Sequence, residues 1–128
     1  MAAMSNYLEN ALVNAVLRNT AYTSPATVYV GLYTTDPTDA NTGTEVSGNG
    51  YARQTATFAA PSNGASTTSA TIEFPQATGS WGTVAYFGIL DASSSGNLLI
   101  HGALTTSKTI DNGDVFRIAS GNLTVTFA

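Results

Sequence analysis

The sequence predicts a mainly β protein: an antiparallel two-sheet sandwich or jelly roll of about eight strands, preceded by one amphipathic N-terminal helix. Three observations support this class. Apolar residues recur at helical spacing only near the amino terminus, they alternate with period two in later segments, and clusters of turn residues separate those segments. Because each one-sided sheet must bury its apolar face, we expect two sheets of about four strands each. The helix and a linker are assigned to residues 1–24, and the β-sandwich domain to residues 25–128.

The helix is predicted between Ser5 and Asn19, ahead of the turn around Pro25. Ser5 or Asn6 can cap its first turn, because a short polar side chain accepts a hydrogen bond from a free backbone N–H there. We expect the helix to pack against the domain's own sheet through one apolar stripe. That stripe consists of Leu8, Leu12, Ala15 and Val16, with Ala11 beside it.

The strands are located by alternating apolar residues and by the turns between them. They are predicted at residues 27–33 and at about 51–58, 67–74, 83–90, 98–105, 114–118 and 122–127. Residues 34–50 contain Pro37, several Asn, Asp and Gly residues, and few apolar ones. We therefore expect a long exposed loop between the first two of these strands.

Charged residues are rare: they make up 9% of the chain, and the net charge is -4. Such a domain needs a neutral, hydroxyl-rich surface. Phosphate binding requires clustered cations, so no nucleic-acid partner is expected. The positive residues are scattered over Arg18, Arg53, Lys108 and Arg117. The chain has neither a basic, apolar secretory start nor an apolar run long enough for a membrane span, so no membrane partner is expected.

His101 is the single histidine of the chain and the first candidate for chemistry. A serine, histidine and aspartate site would need an exposed nucleophile, and the chain has no G-x-S-x-G turn. We interpret His101 as a hydrogen-bonded residue in a sheet or at a subunit contact rather than as a catalytic base.

Acidic residues are the second candidates. Glycosidases need two carboxylates that flank one bond, but Glu9, Glu45 and Glu73 fall on a predicted helix, loop and strand without local pairing. Two pairs of aspartates offer oxygens to calcium, although neither has the spacing of an EF-hand loop and turns require the same residue types. These pairs are Asp36 with Asp39 and Asp111 with Asp114. We expect no enzyme activity, no cofactor and no metal, and a looser calcium site shared between subunits stays an alternative.

The segment SWGTVAYFGILDA, residues 80–92, holds the single tryptophan and the longest apolar run. With period two, one side carries Val84, Tyr86, Gly88 and Leu90, and the other carries Ala85, Phe87 and Ile89. Both faces are apolar, so we expect a central strand covered by the opposite sheet on one face and by the helix or a neighbouring subunit on the other. Trp81 should cap the core at the start of this strand, with its N–H bonded. The residues expected in packing or subunit interfaces are Trp81, Tyr86, Phe87, Ile89 and His101.

Several segments resemble a family of small virion proteins of tailed bacteriophages, whose members are described as capsid decoration, cement or tail fibre proteins. The resemblance covers almost the whole chain after Met4. Its most specific parts are GYARQ at Gly50, SWGTV at Ser80 and HGALT at His101. It implies a structural role in a phage particle, and it brings no catalytic residues with it.

The resemblance leaves two positions on the virion open. The first is the capsid exterior, where a compact homotrimer would bind and stabilise the lattice of the major capsid protein. The second is the tail, as a fibre or receptor-binding protein that holds a host-surface glycan. Aromatic rings for stacking on sugars would then come from Tyr29, Tyr33 and Tyr51. Short length and the lack of a coiled coil or repeat favour the capsid position.

Overall fold

The computed structural model describes residues 2–127 and is mainly β, with one N-terminal helix and antiparallel strands. The predicted fold class is therefore confirmed. The elements in chain order are β1 (Ala2–Met4), α1 (Asn6–Leu17), β2 (Val28–Tyr33), β3 (Gln54–Ala56), β4 (Ala65–Thr67), β5 (Ile72–Glu73), β6 (Gly82–Leu90), β7 (Leu98–Ile110), β8 (Arg117–Ile118) and β9 (Thr124–Thr126).

The strands are distributed unequally between the two layers of the sandwich. One layer is a five-stranded antiparallel sheet in the order β1-β7-β6-β2-β3, and the other consists of the two-stranded pairs β4-β9 and β5-β8. The expectation of two sheets of about four strands each is met in strand number, but the four strands of the second layer form two separate pairs instead of one sheet. The predicted strand at 67–74 is interrupted at Thr68, whose backbone bonds to Leu123 and Gly121 instead of continuing one ladder.

The core lies between the large sheet and the two small pairs. From the large sheet it takes Val30, Leu32, Val84, Phe87, Ile89 and Ile100, and from the opposite layer Ile72, Phe74, Phe116, Leu123 and Val125. Phe74 packs edge to face on Phe116 with ring centroids 5.7 Å apart. Burial of these apolar surfaces supplies the main favourable free energy of the fold.

Helix α1 begins as predicted. The Ser5 hydroxyl accepts a hydrogen bond from the backbone N–H of Leu8 at 3.2 Å and donates to the carbonyl oxygen of Leu98, which fixes the helix start to β7. Leu8 is buried, but Val16 is 76% exposed, so the prediction that Val16 shares the buried stripe was wrong. The reason is position: among the described strands α1 contacts only β1 and β7, at one side of the large sheet, and the side chains of its last turn are exposed.

Strand β1 was not predicted, because three residues are too few to show a period. It pairs with β7 through Ala2, Ala3 and Met4, opposite Gly102, His101 and Ile100. The start of the chain therefore forms one edge of the large sheet and is continuous with it.

Candidate functional site

Strand β6 is the middle strand of the large sheet, as the sequence predicted for a strand with two apolar faces. The register of β6 with β7 shifts between Val84 and Tyr86: Val84 pairs with Lys108 and Tyr86 with Ala103, so β6 advances by two residues while β7 advances by five. Val84 therefore belongs to the same core cluster as Phe87 and Ile89, whereas strict alternation had assigned it to the opposite face. Such an irregularity in the ladder interrupts the regular alternation of faces along the strand.

Trp81 lies at the start of β6 and is 5% exposed. Its indole N–H donates to the carbonyl oxygen of Asn49 at 2.9 Å, and its ring meets Tyr51 edge to face at 5.4 Å. The side chain closes the core at this end and leaves no donor unpaired. Phe87 and Ile89 are buried in the same core, and Tyr86 is half-buried on the other face.

The second face of β6 is covered by other parts of this chain. A Cβ at Gly88 would lie 2.8 Å from atoms of both Tyr33 and Leu98, so these two side chains lie directly across the glycine backbone. The Tyr33 hydroxyl reaches Asn41 in the loop of residues 34–50. The cover around Gly88 is therefore formed by neighbouring side chains and by this loop instead of by the helix, and a neighbouring subunit over the half-buried Tyr86 stays a prediction.

His101 ties the same loop to β7. Its Nε2 lies 2.7 Å from Oδ1 of Asp39, its Nδ1 lies 3.8 Å from Oδ1 of Asp36, and the Asp39 carbonyl accepts from the backbone N–H of Asn6 at the start of α1. The nearby Ser5 hydroxyl donates to a backbone carbonyl and caps the helix, so it is not arranged as a nucleophile toward the imidazole. This geometry suits a structural link between loop, sheet and helix.

A partly buried ion pair holds the far end of the loop. Arg53 donates to both carboxylate oxygens of Glu45 at 2.8 Å and also to the backbone carbonyls of Ala92 and Ser95. The Tyr51 hydroxyl donates to Glu45 and accepts from the backbone N–H of Leu32. Hydrogen bonding to Glu45 raises the pKa of Arg53, and burial raises the pKa of Tyr51. The network joins three chain segments in one fixed arrangement.

The tyrosines considered for sugar stacking are not presented to solvent as a group. Tyr33 is 2% exposed, and burial raises the pKa of its hydroxyl to about 12. The Tyr51 ring stacks on Phe74 and meets Trp81, and Tyr29 is half-buried. Two of the three rings therefore serve the interior of the protein.

An open apolar groove of about 530 Å³ lies between α1 and the mouth of the sandwich. Its walls are Leu8 and Leu12 of α1, the segment from Tyr22 to Val28, and the loop around Pro61, and its floor reaches Ile89 and Val125. The described residues that line it include no charged side chain. Clefts of this size and polarity are typical of sites that receive apolar groups.

Exposed apolar side chains continue from this groove along α1. Val16 and Leu17 are each 76% exposed and Val13 is 52% exposed, and Val16 lies one turn beyond Leu12 of the groove wall. Phe127, on the opposite rim, is 41% exposed. We call Val13, Val16 and Leu17 the helix end. Val16 was predicted to lie in the buried stripe because helical spacing shows which residues share a face. That spacing does not show what the face contacts.

Residues 2–127 include acidic side chains and one histidine, the residue types from which a metal or catalytic site would be built. No group of three or more His, Cys, Asp or Glu side chains in this range is arranged to hold a metal ion. Within the same range, no helix is long and apolar enough to cross a membrane. The acidic residues considered for catalysis lie apart: Glu45 pairs with Arg53, and Glu73 pairs with Arg117.

The fold and the surface together define a small antiparallel β-sandwich protein with an open apolar contact region on its helix side. The chain belongs to the family described as Podophage GP4 fiber I protein gp80, whose model matches residues 3–126. It is therefore a phage fibre or virion structural protein, as the resemblance implied. A search of the curated proteins gave no match.

Proposed function

We propose that this protein is a capsid decoration protein that binds the lattice of the major capsid protein on the virion exterior as a homotrimer. The observation that carries the proposal is the open groove with the helix end beside it, in a chain that belongs to a virion protein family. Contiguous exposed apolar surface is typical of protein contact sites.

The distribution of polarity supports attachment through one side. The helix side offers the uncharged groove, while the loop of residues 34–50 is rich in Asp, Asn and Thr and is largely exposed. A subunit with one apolar side and one hydrated side can bind a lattice and keep the particle surface soluble. Attachment of this kind requires no catalytic residues.

Rigidity also supports a structural role. The Ser5 cap fixes the start of α1, which walls the groove, and His101 holds Asp39, whose carbonyl accepts from the first turn of that helix, so less conformational entropy is lost when the groove binds. A preformed surface suits a protein that must bind many equivalent positions in the same way.

A second candidate is a position in the tail, favoured by the word "fiber" in the family's description. The contact surface would be the same, and the partner would be another tail component. The glycan-binding form of this alternative has less support, because Tyr33 is buried and the partly buried Tyr51 ring packs on Phe74.

Labelling of the intact particle tests the proposal. Fluorescent or gold-labelled antibody against the chain should mark regular positions over the whole capsid in particle images. Label found only at the tail would overturn the capsid position and support the second candidate. Absence of the chain from purified particles would overturn both.

A further inference from the structure

We infer that a polar cleft beside the start of α1 binds a neutral saccharide. The cleft has a volume of about 380 Å³ and lies between the start of α1, residues 39–41 of the long loop and the turn that joins β6 to β7. It shares no lining residue with the apolar groove. The inference goes beyond the proposed function and does not rest on the position of the protein on the virion.

Two polar side chains of the long loop line the cleft, and a buried residue of the sheet holds each of them. Oδ1 of Asp39 lies 2.7 Å from Nε2 of His101, and Oδ1 of Asn41 accepts from the Tyr33 hydroxyl at 3.5 Å. His101 and Tyr33 are both buried. The loop therefore presents one carboxylate and one amide whose orientations are fixed from beneath.

Asn97 is held in a similar way on the opposite wall. Its backbone N–H donates to Oδ1 of Asp91 at 2.7 Å, and its Nδ2 donates to Oδ2 of Asp91 at 3.0 Å. Within residues 2–127, no hydrogen bond engages Oδ2 of Asp39, Nδ2 of Asn41 or Oδ1 of Asn97, and all three residues are exposed. The cleft thus offers two acceptor atoms and one donor group that are oriented before a ligand binds, which lowers the entropy cost of binding.

Charge narrows the class of ligand. Among the described residues that line the cleft there is no lysine or arginine, and Asp39 is the one charged side chain. Phosphate and carboxylate ligands are recognised through cationic side chains, so an anionic ligand is disfavoured. Cations such as calcium need six or more oxygen ligands, and Asp39 is a single carboxylate that already contacts His101. The cleft therefore favours a neutral polar ligand.

Tyr7 gives the cleft an aromatic wall. It is 43% exposed, and it is not one of the three tyrosines considered for sugar stacking from the sequence. A sugar ring has a C–H face that packs on an aromatic ring, and each of its hydroxyl groups can both donate and accept a hydrogen bond. A saccharide therefore matches both the ring of Tyr7 and the oriented polar groups. Ligand pockets begin at about 300 Å³, so a cleft of this size suits a short saccharide.

Binding is measured with the full chain, first on a printed array of neutral and acidic oligosaccharides. The neutral sugar with the strongest signal is then titrated in solution by calorimetry. We expect saturable binding of a neutral saccharide. No saturable binding to any sugar on the array, or binding confined to acidic sugars, would overturn the inference.

Two matched pairs of variants locate the site. Tyr7→Ala removes the aromatic wall and should weaken binding by roughly tenfold. Phe127→Ala is its control, because Phe127 is 41% exposed and lies outside the cleft. Asn6→Ala, at an exposed residue of the cleft, is compared with Asn10→Ala, at an exposed residue of α1 outside it. Thermal unfolding checks the fold of each variant, and equal affinities within both pairs would overturn the inference.

His101 acts as a positioning residue for Asp39, and a conservative substitution tests this role. His101→Gln keeps an N–H donor near the position of Nε2, whereas His101→Leu removes it. The Gln variant should retain most of the affinity for the sugar, and the Leu variant should lose roughly tenfold. Equal affinity in the two folded variants would refute the role of His101. All of these measurements use the free protein, so their failure would leave the labelling of the capsid unaffected.

Discussion

Two apolar faces were predicted from the sequence, the second face of β6 and the stripe of α1, and they are covered to different extents in this protein. The second face of β6 is closed within the chain, where Tyr33 and Leu98 cross Gly88 and the long loop covers them. The stripe of α1 is closed only at its first half, and Val16 remains 76% exposed. An apolar pattern in the sequence therefore identifies a surface that needs a partner. The topology decides whether that partner lies in the same chain.

The largest effect should come from the closed core of β6. Phe87→Ala removes a ring that is 5% exposed and leaves a cavity between the sheets, so the free energy of unfolding should fall by about 4 kcal/mol. Urea denaturation measures this fall. Tyr86→Ala is the control on the same strand, and because Tyr86 is only half-buried, its loss should be clearly smaller. Equal losses would contradict the assignment of the two faces.

The loop that closes the second face should depend on its ion pair. Arg53→Ala leaves Glu45 in a partly buried site without its partner, at a cost of about 3 kcal/mol in the free energy of unfolding. Arg117→Ala breaks a pair whose side chains are both more than half exposed and should cost less than about 1 kcal/mol. The comparison is made by chemical denaturation. A similar cost for both variants would show that the Glu45 network does not fix the loop.

High pH should destabilise the packing of Tyr33 on the second face of β6. Burial raises the pKa of Tyr33 to about 12 from its ordinary value of 10.0, so the folded protein holds a proton that the unfolded chain releases. The stabilisation is complete below pH 10 and is lost as the pH rises toward 12. Thermal unfolding across this range should show a falling melting temperature, and Tyr33→Phe should reduce the slope. Tyr7→Phe, at an exposed tyrosine, is the control, and an equal effect there would refute the burial of Tyr33 as the cause.

Features of the fold that depend on residues close together in the sequence could be predicted, and features that depend on distant residues could not. The Ser5 cap, the strands at 28–33 and 82–90, and the bonded indole of Trp81 depend on near neighbours or on simple alternation, and all were predicted. The irregular pairing between Val84 and Tyr86 was missed because nothing in the local pattern of β6 marks the extra residues that β7 carries opposite it.

The candidate site was harder to predict. His101 was expected to be hydrogen-bonded, but its partner Asp39 lies 62 residues away, and only the folded chain brings them together. The exposure of Val16 depends on how far α1 extends past the edge of the sheet, which no period in the helix itself encodes.

The smallest effect on the fold should come from the helix end. V16S/L17S changes two side chains that are each 76% exposed, so the free energy of unfolding should stay within about 0.5 kcal/mol of the wild type. This value is measured at a concentration at which both proteins are monomeric, because assembly would otherwise add to stability. A loss comparable to that of Phe87→Ala would show that the helix end belongs to the core of the single chain.

We propose that the helix end serves other protein molecules rather than the fold of its own chain. The decisive measurement supplies labelled V16S/L17S protein in competition with wild type and determines how much of the labelled protein purified virions retain. We expect the folded V16S/L17S variant to be largely excluded from the virions. The control V115S, at another exposed apolar residue, should be retained as well as wild type. Retention of V16S/L17S at the wild-type level would contradict it.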